Sequence, residues 1–341
     1  MTNRVEYYDI LRGLAIIGVV IIHSSGLGLK FPDDSFNFHF TILWRNLWNF
    51  SVPLFLTLSG YFIVKKNITD FSEHIVFLKK QIPRVYIPMF IWSIIWVIIA
   101  ILVLDKPIVK EFIKLIIFQA SGPYYFIALI IQYYILLPFL KRFSNTKGLI
   151  LSLIISLFMT SIIFYIRYFT DIKLLTIIYA GNFLTWNIFF IFGLYLGSKK
   201  RKLLSNQLLI SLIVIFYILS CVETYLLYIS FNQIDHAVTA VKASSFLFSL
   251  ALIAYFFKNI DFISNKILKN IGEVSFGIYL VHMFIIIFIS KVLLDYPFDI
   301  QNFQPIYQLI ITIITISFAY LLIMISKKFI SIKWIQFLGF K

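Results

Sequence analysis

Long apolar runs, each broken by a short polar or basic stretch, set the pattern of this chain. About ten such runs can be marked: 10–28, 44–64, 84–104, 124–140, 149–169, 183–198, 207–230, 243–257, 274–294 and 307–326. A helix that crosses a bilayer needs roughly 17–25 residues. Each run is near that length, the sixth and eighth at its lower limit. The pattern predicts an all-α integral membrane protein of about ten transmembrane helices, a single transmembrane domain over residues 1–341. No connection is long enough to fold as a soluble domain, and no internal repeat recurs. Between the third and fourth runs, KPIVKEFIKLIIFQ predicts a short interfacial helix. Its Ile113, Ile116 and Ile117 face lipid, and its Lys110 and Lys114 face water.

Composition agrees with that pattern. Hydrophobic residues make up 61% of the chain and charged residues 13%, with a mean hydropathy of +0.93. Only lipid can solvate so much apolar surface. The net charge of +15 raises the question of nucleic acid, and the placement of the basic residues answers it. Lys and Arg concentrate in alternate connections: Arg4 and Arg12; Lys65, Lys66, Lys79, Lys80 and Arg84; Lys141, Arg142 and Lys147; Lys199, Lys200, Arg201 and Lys202; Lys258, Lys266 and Lys269; Lys327, Lys328, Lys333 and Lys341. The opposite side holds fewer, among them Lys30, Arg45, Arg167 and Lys242. This is the positive-inside pattern, which places both termini in the cytoplasm and calls for an even number of spans. The bilayer, with its anionic lipid, is the partner the charge implies; nucleic acid is not. The apolar N-terminal run is long and lacks a small-residue cleavage site at the usual place, so it reads as an uncleaved anchor. The single cysteine, Cys221, excludes an internal disulfide and a cysteine metal site.

Within the first run, EYYDILRGLAIIGVVIIHS (Glu6–Ser24), three ionisable residues interrupt the apolar sequence: Asp9, Arg12 and His23. On an ideal helix they fall within roughly 60° of one another, with Arg12 and His23 about 16 Å apart along the axis. Such groups in a membrane helix are costly and face a cavity or a partner. Glu223, a lone acid in the seventh run, comes to about the depth of His23. It either orients that imidazole as the acid of a general-base site does, or pairs with an outer cation such as Lys242 or Arg167. In IGEVSFGIYLVHMFI, Ser275, Tyr279 and His282 share a helix face; His282 reads either as a hydrogen-bonded structural residue or as part of the chemistry. Ser59 and Gly60, in PLFLTLSGYFIVKK, permit close helix packing. In FLKKQIPRVYIP, Lys79, Lys80 and Arg84 cluster where a helix is expected to begin, with Pro83 in its first turn. That cluster suits either a phosphate site or a membrane anchor. Tyr124 and Tyr125 fit an interfacial belt, and Gln132, Tyr133 and Tyr134 lie deeper and need partners. Aromatic faces there would also suit sugar rings. No metal-ligand spacing, glycine-rich phosphate loop or GxSxG is present.

Several of these stretches together resemble the bacterial integral-membrane acyltransferase family 3: YYDILRGLAIIGVVIIH (Tyr7–His23), PLFLTLSGYFI (Pro53–Ile63), KKQIPRVYIP (Lys79–Pro88), VSFGIYLVH (Val274–His282) and GPYYFIALIIQYYILLP (Gly122–Pro138). The resemblance implies about ten helices in a bacterial plasma membrane. It also implies transfer of an acyl group, usually acetyl from cytoplasmic acetyl-CoA, to a hydroxyl of a cell-envelope polysaccharide or its lipid-linked precursor. By that likeness Arg12 and His23 take the principal functional positions, Asp9 precedes them, and Lys79–Arg84 replaces a cytoplasmic arginine motif. Gln81 stands where the family often has another arginine, and lysine lacks the bidentate fork that arginine offers phosphate.

The expectation is therefore a membrane O-acyltransferase. His23, Arg12, Asp9 and Glu223 would carry catalysis. Lys79, Lys80, Arg84, Ser59, Tyr279 and His282 would hold acyl-CoA, and no metal is expected. His23 would act as general base or briefly carry the acyl group. A succinyl donor is the variant chemistry. A polysaccharide exporter is the rival function, although the paired broken helices of such folds are missing. A non-catalytic scaffold would leave the Asp9–Arg12–His23 stripe unexplained. A second copy of the chain or a polysaccharide synthase remain open as protein partners.

Overall fold

A computed structural model describes residues 6–66, 68, 70–198, 203–260, 263–295 and 299–340. Arg4, the basic run Lys199–Lys202 and Lys341 lie outside the described residues. In chain order the helices are α1 (Glu6–Ser24), α2 (Phe36–Trp48), α3 (Ser51–Ile63), α4 (Phe71–Leu102), α5 (Ile108–Ile116), α6 (Tyr125–Lys141), α7 (Thr146–Phe169) and α8 (Thr176–Tyr179). They continue with α9 (Phe183–Ser198), α10 (Asn206–Phe231), α11 (Ile234–Ala237), α12 (Ala243–Lys258), α13 (Lys266–Glu273), α14 (Ser275–Asp295), α15 (Gln304–Phe329) and α16 (Ile332–Phe337). No strand occurs among the described residues.

The protein is an all-α multi-pass membrane protein. Among the described residues, 7 helices are long and apolar enough to cross a membrane, and α9 and α12 are shorter apolar helices. These account for every expected run except 44–64. That run breaks after Trp48 into α2 and α3. Asn49 lies at the break, buried, with its side-chain amide donating to the Val238 carbonyl (3.3 Å) and Ser245 Oγ (3.3 Å). Pro53, in the first turn of α3, has no N–H to give the Asn49 carbonyl, so the helical ladder is interrupted there.

The start of the third run also differs from expectation. Helix α4 begins at Phe71, where Asp70 accepts from the Glu73 amide at 2.7 Å, and both Pro83 and Pro88 lie inside it. Lys79, Lys80 and Arg84 therefore sit within a helix and not at its N-terminus. They offer charge but not the free N–H groups of a helix start. The interfacial helix forms as α5: Lys110, Ile113 and Ile116 are exposed, and Glu111 and Leu115 are buried, with Glu111 paired to Lys114 at 2.6 Å.

The chain forms two compact units, one of Met1–Phe55 with Arg201–Leu322, the other of Leu56–Lys200 with Ile323–Lys341. In the first, α1 lies so close to α13 at Gly272 that no side chain fits there. A Cβ on Gly272 would come 1.7 Å from the Asp9 carbonyl oxygen. In the second, α3 packs on α9 as closely: a Cβ on Gly60 would come 2.3 Å from the Phe190 carbonyl oxygen. The small Ser59–Gly60 pair thus serves close packing, as expected of Gly60, with Ser59 half-buried beside it. Gln132 and Tyr133 find their partners on the segment leading into α9, donating to the Gly181 and Phe183 carbonyls at 2.7 Å each. Tyr133 is fully buried, so its ring is used in packing. Tyr124 is buried, only 1% exposed, so it is not part of a surface belt.

Candidate active site

Helix α1 carries the predicted stripe. Asp9 is 1% exposed, and its Oδ1 accepts from Arg12 Nη1 at 2.6 Å. The guanidinium, partly exposed, pairs the buried carboxylate. Outside α1, Lys269 of α13 pairs with Glu6. Hydrogen bonding to that carboxylate raises the Lys269 pKa above the ordinary lysine value.

At the other end of α1, His23 meets residues that are distant in sequence. The ring of His282, from α14, is centred 5.3 Å from its own, tilted by 48°. Arg45 of α2 donates from Nη1 to the Ile22 carbonyl (2.9 Å) and to Ser25 Oγ (3.3 Å), one residue before and two after His23. Ser24 Oγ lies 2.9 Å from Thr312 Oγ1 of α15. His23 is half-buried, and His282 has no exposure at all. Tyr279, one turn before His282, supplies the carbonyl that holds His282 Nδ1 at 2.7 Å.

Glu223 is used elsewhere. Its Oε2 accepts from the Ser244 amide at 3.1 Å and from the Ser244 hydroxyl. It thereby caps the first turn of α12, where a negative charge is favourable. Its partner is Ser244 and not His23. Beside it, Lys242 is 4% exposed and donates to Asn46 Oδ1 (2.7 Å), the Ser220 carbonyl (3.0 Å), the Ala237 carbonyl (3.1 Å) and Thr224 Oγ1. This ammonium pins α2, α10, α11 and the start of α12 together.

In the other unit, α4 lines a groove of about 490 Å³ with Lys66, Ser72, Glu73, Phe77, Lys80, Gln81 and Arg84 among its walls. Lys79 is exposed but is not part of the lining. Partial burial, together with the charges of Arg84 and Lys80, lowers the Lys66 pKa. Three cations therefore share one opening with one acid, Glu73.

The sequence profile of the acyltransferase 3 family, described as an acyltransferase domain, matches residues 5–338. That span includes α1 through α16. The chain belongs to the acyltransferase 3 family. No curated protein and no solved structure matches it.

In this membrane acyltransferase His23 lies beside a second histidine, His282, and close to an arginine, Arg45. Acyl transfer needs a group that takes a proton from the acceptor and returns one to the leaving group, and imidazole does both near neutrality. Arg45 was not among the residues the sequence singled out. A basic residue between Trp44 and Asn46, inside an apolar run, was the signal that could have marked it.

Proposed function

We propose that this acyltransferase moves an acetyl group from acetyl-CoA to a hydroxyl of a cell-envelope polysaccharide or its lipid-linked precursor, in a bacterial plasma membrane. The observation that carries the reading is His23, an imidazole within an apolar helix with His282 and Arg45 against it. The acceptor oxygen attacks the thioester carbonyl as His23 takes its proton. The carbon–sulfur bond then breaks, and the proton passes to the thiolate. Arg45 supplies a permanent positive charge at the place where negative charge develops on the carbonyl oxygen. Asp9 keeps Arg12 fixed at the opposite end of α1, where Arg12 meets the donor's polar groups. Lys66, Lys80 and Arg84 hold the phosphates of the donor in the groove of α4, by charge and by the arginine fork.

Supplying purified protein in lipid vesicles with radiolabelled acetyl-CoA and envelope glycan extract tests this. Label is expected in the glycan as an alkali-labile ester. Label appearing only in free acetate would remove the glycan from the proposal. Turnover of succinyl-CoA in preference to acetyl-CoA would change the donor.

A further inference from the structure

We propose that His282 is a positioning residue for His23: its Nδ1–H is tied to its own helix, and its Nε2 lone pair accepts a hydrogen bond from the His23 ring. The inference rests on the reading of His23 as the proton-transferring base. It adds a residue that reading does not require.

The argument starts from hydrogen-bond bookkeeping. A backbone carbonyl can only accept, so the 2.7 Å contact between His282 Nδ1 and the Tyr279 oxygen requires the proton on Nδ1. A neutral imidazole then carries no proton on Nε2, which becomes an acceptor. That atom is buried and has no partner among the described residues, and a buried acceptor left unmet is unfavourable. The rings in contact with His282 are Tyr279, on the same helix, and His23, on α1. Two imidazoles centred 5.3 Å apart can form an N–H···N bond when a nitrogen of each turns toward the other. Ser24, next to His23, is engaged with Thr312. Arg45 Nη1 is engaged with Ile22 and Ser25.

The consequence is a chain running Tyr279 carbonyl, His282, His23, acceptor hydroxyl. It has the form of the orienting acid, histidine and nucleophile of a catalytic triad, with a neutral imidazole in the place of the acid. The His23 nitrogen bound to His282 keeps its proton throughout. The other nitrogen takes the proton of the acceptor hydroxyl as the carbon–oxygen bond forms. It gives that proton to the CoA sulfur as the carbon–sulfur bond breaks, so both imidazoles end as they began.

The test measures release of free CoA thiol from acetyl-CoA by full-length protein in lipid vesicles with envelope glycan extract. Wild type is compared with His23→Ala, His282→Phe and His282→Gln. Phenylalanine keeps the ring and removes the acceptor; glutamine restores an acceptor oxygen near the position of Nε2. The expected result is a kcat about 100-fold lower for His282→Phe, the scale of losing an orienting partner, with KM for acetyl-CoA unchanged. His282→Gln should recover about tenfold of that loss. A His282→Phe enzyme with the wild-type kcat would overturn the inference, as would a glutamine variant no faster than the phenylalanine one. If wild type and His23→Ala are equally slow, the underlying reading fails and the inference with it. If His23→Ala alone is inactive, only the inference fails. Should His282→Phe not insert, nitrogen-15 NMR of histidine-labelled wild type decides the matter: a proton on Nε2 of His282 contradicts the proposal, and a bare, hydrogen-bonded Nε2 supports it.

Discussion

The hydrogen-bond partners of Asp9, Glu223 and Lys242 help to separate chemistry from scaffolding. Glu223 and Lys242 look alike in sequence, as lone charges in or beside apolar runs, yet both are fully engaged in holding helix ends. Glu223→Gln retains acceptor capacity toward Ser244, so its kcat should stay within about threefold of wild type; a hundredfold loss would return Glu223 to the chemistry. Lys242→Ala removes the buried ammonium's hydrogen bonds to Asn46, Ser220 and Ala237 and should cost about 1–3 kcal/mol of stability, read as an earlier thermal transition in detergent. In the groove of α4, Lys66, Lys80 and Arg84 line an opening that can take a ligand. Arg84→Glu should raise KM for acetyl-CoA about tenfold, the scale of one charged hydrogen bond, and the effect should shrink as salt is added. Lys66 adds a pH dependence. Its lowered pKa means that the ammonium loses its proton at a lower pH than an ordinary lysine. Binding of the donor phosphates should therefore begin to weaken, and KM to rise, earlier on the alkaline side than an unperturbed lysine would produce.

The helices owe their positions to a few close approaches, and these were only partly legible in the sequence. The stripe of Asp9, Arg12 and His23 could be read because helical periodicity alone places them. The meeting of His23 with His282 could not, since two residues 259 positions apart share no local pattern; it follows from the packing of α1 against α14. The break between α2 and α3 had a local signal in Pro53, whose ring nitrogen cannot continue the helical ladder to Asn49. The early start of α4 had a local signal in Asp70 and Glu73, an acidic cap three residues before a second acid, which the polar character of the following segment obscured. The α1–α13 contact makes an element-scale prediction. Gly272→Ala drives a methyl group into the Asp9 carbonyl and should cost about 1–3 kcal/mol. Because it displaces the backbone that carries Asp9, it should lower stability and activity together. A Gly272→Ala protein with unchanged thermal transition would refute the close approach.

For the whole molecule, the apolar runs specified an all-α membrane protein, and the family match over residues 5–338 specifies an acyltransferase. The alternation of basic residues predicts the orientation. The single native cysteine is buried, which makes the protein suitable for accessibility labelling. A cysteine replacing Asp34 should react with an impermeant maleimide added outside intact cells. One replacing Lys328 should react only after the membrane is opened. The opposite result would invert the topology and the side from which the donor enters.

The most direct measurement is acetyl-CoA turnover by purified protein in lipid, with wild type beside His23→Ala. If His23 passes the proton, the variant should insert and melt as wild type does yet turn over about 10²–10⁴-fold more slowly. Undiminished turnover in His23→Ala would contradict the central claim and move the chemistry away from the α1–α14 histidine pair.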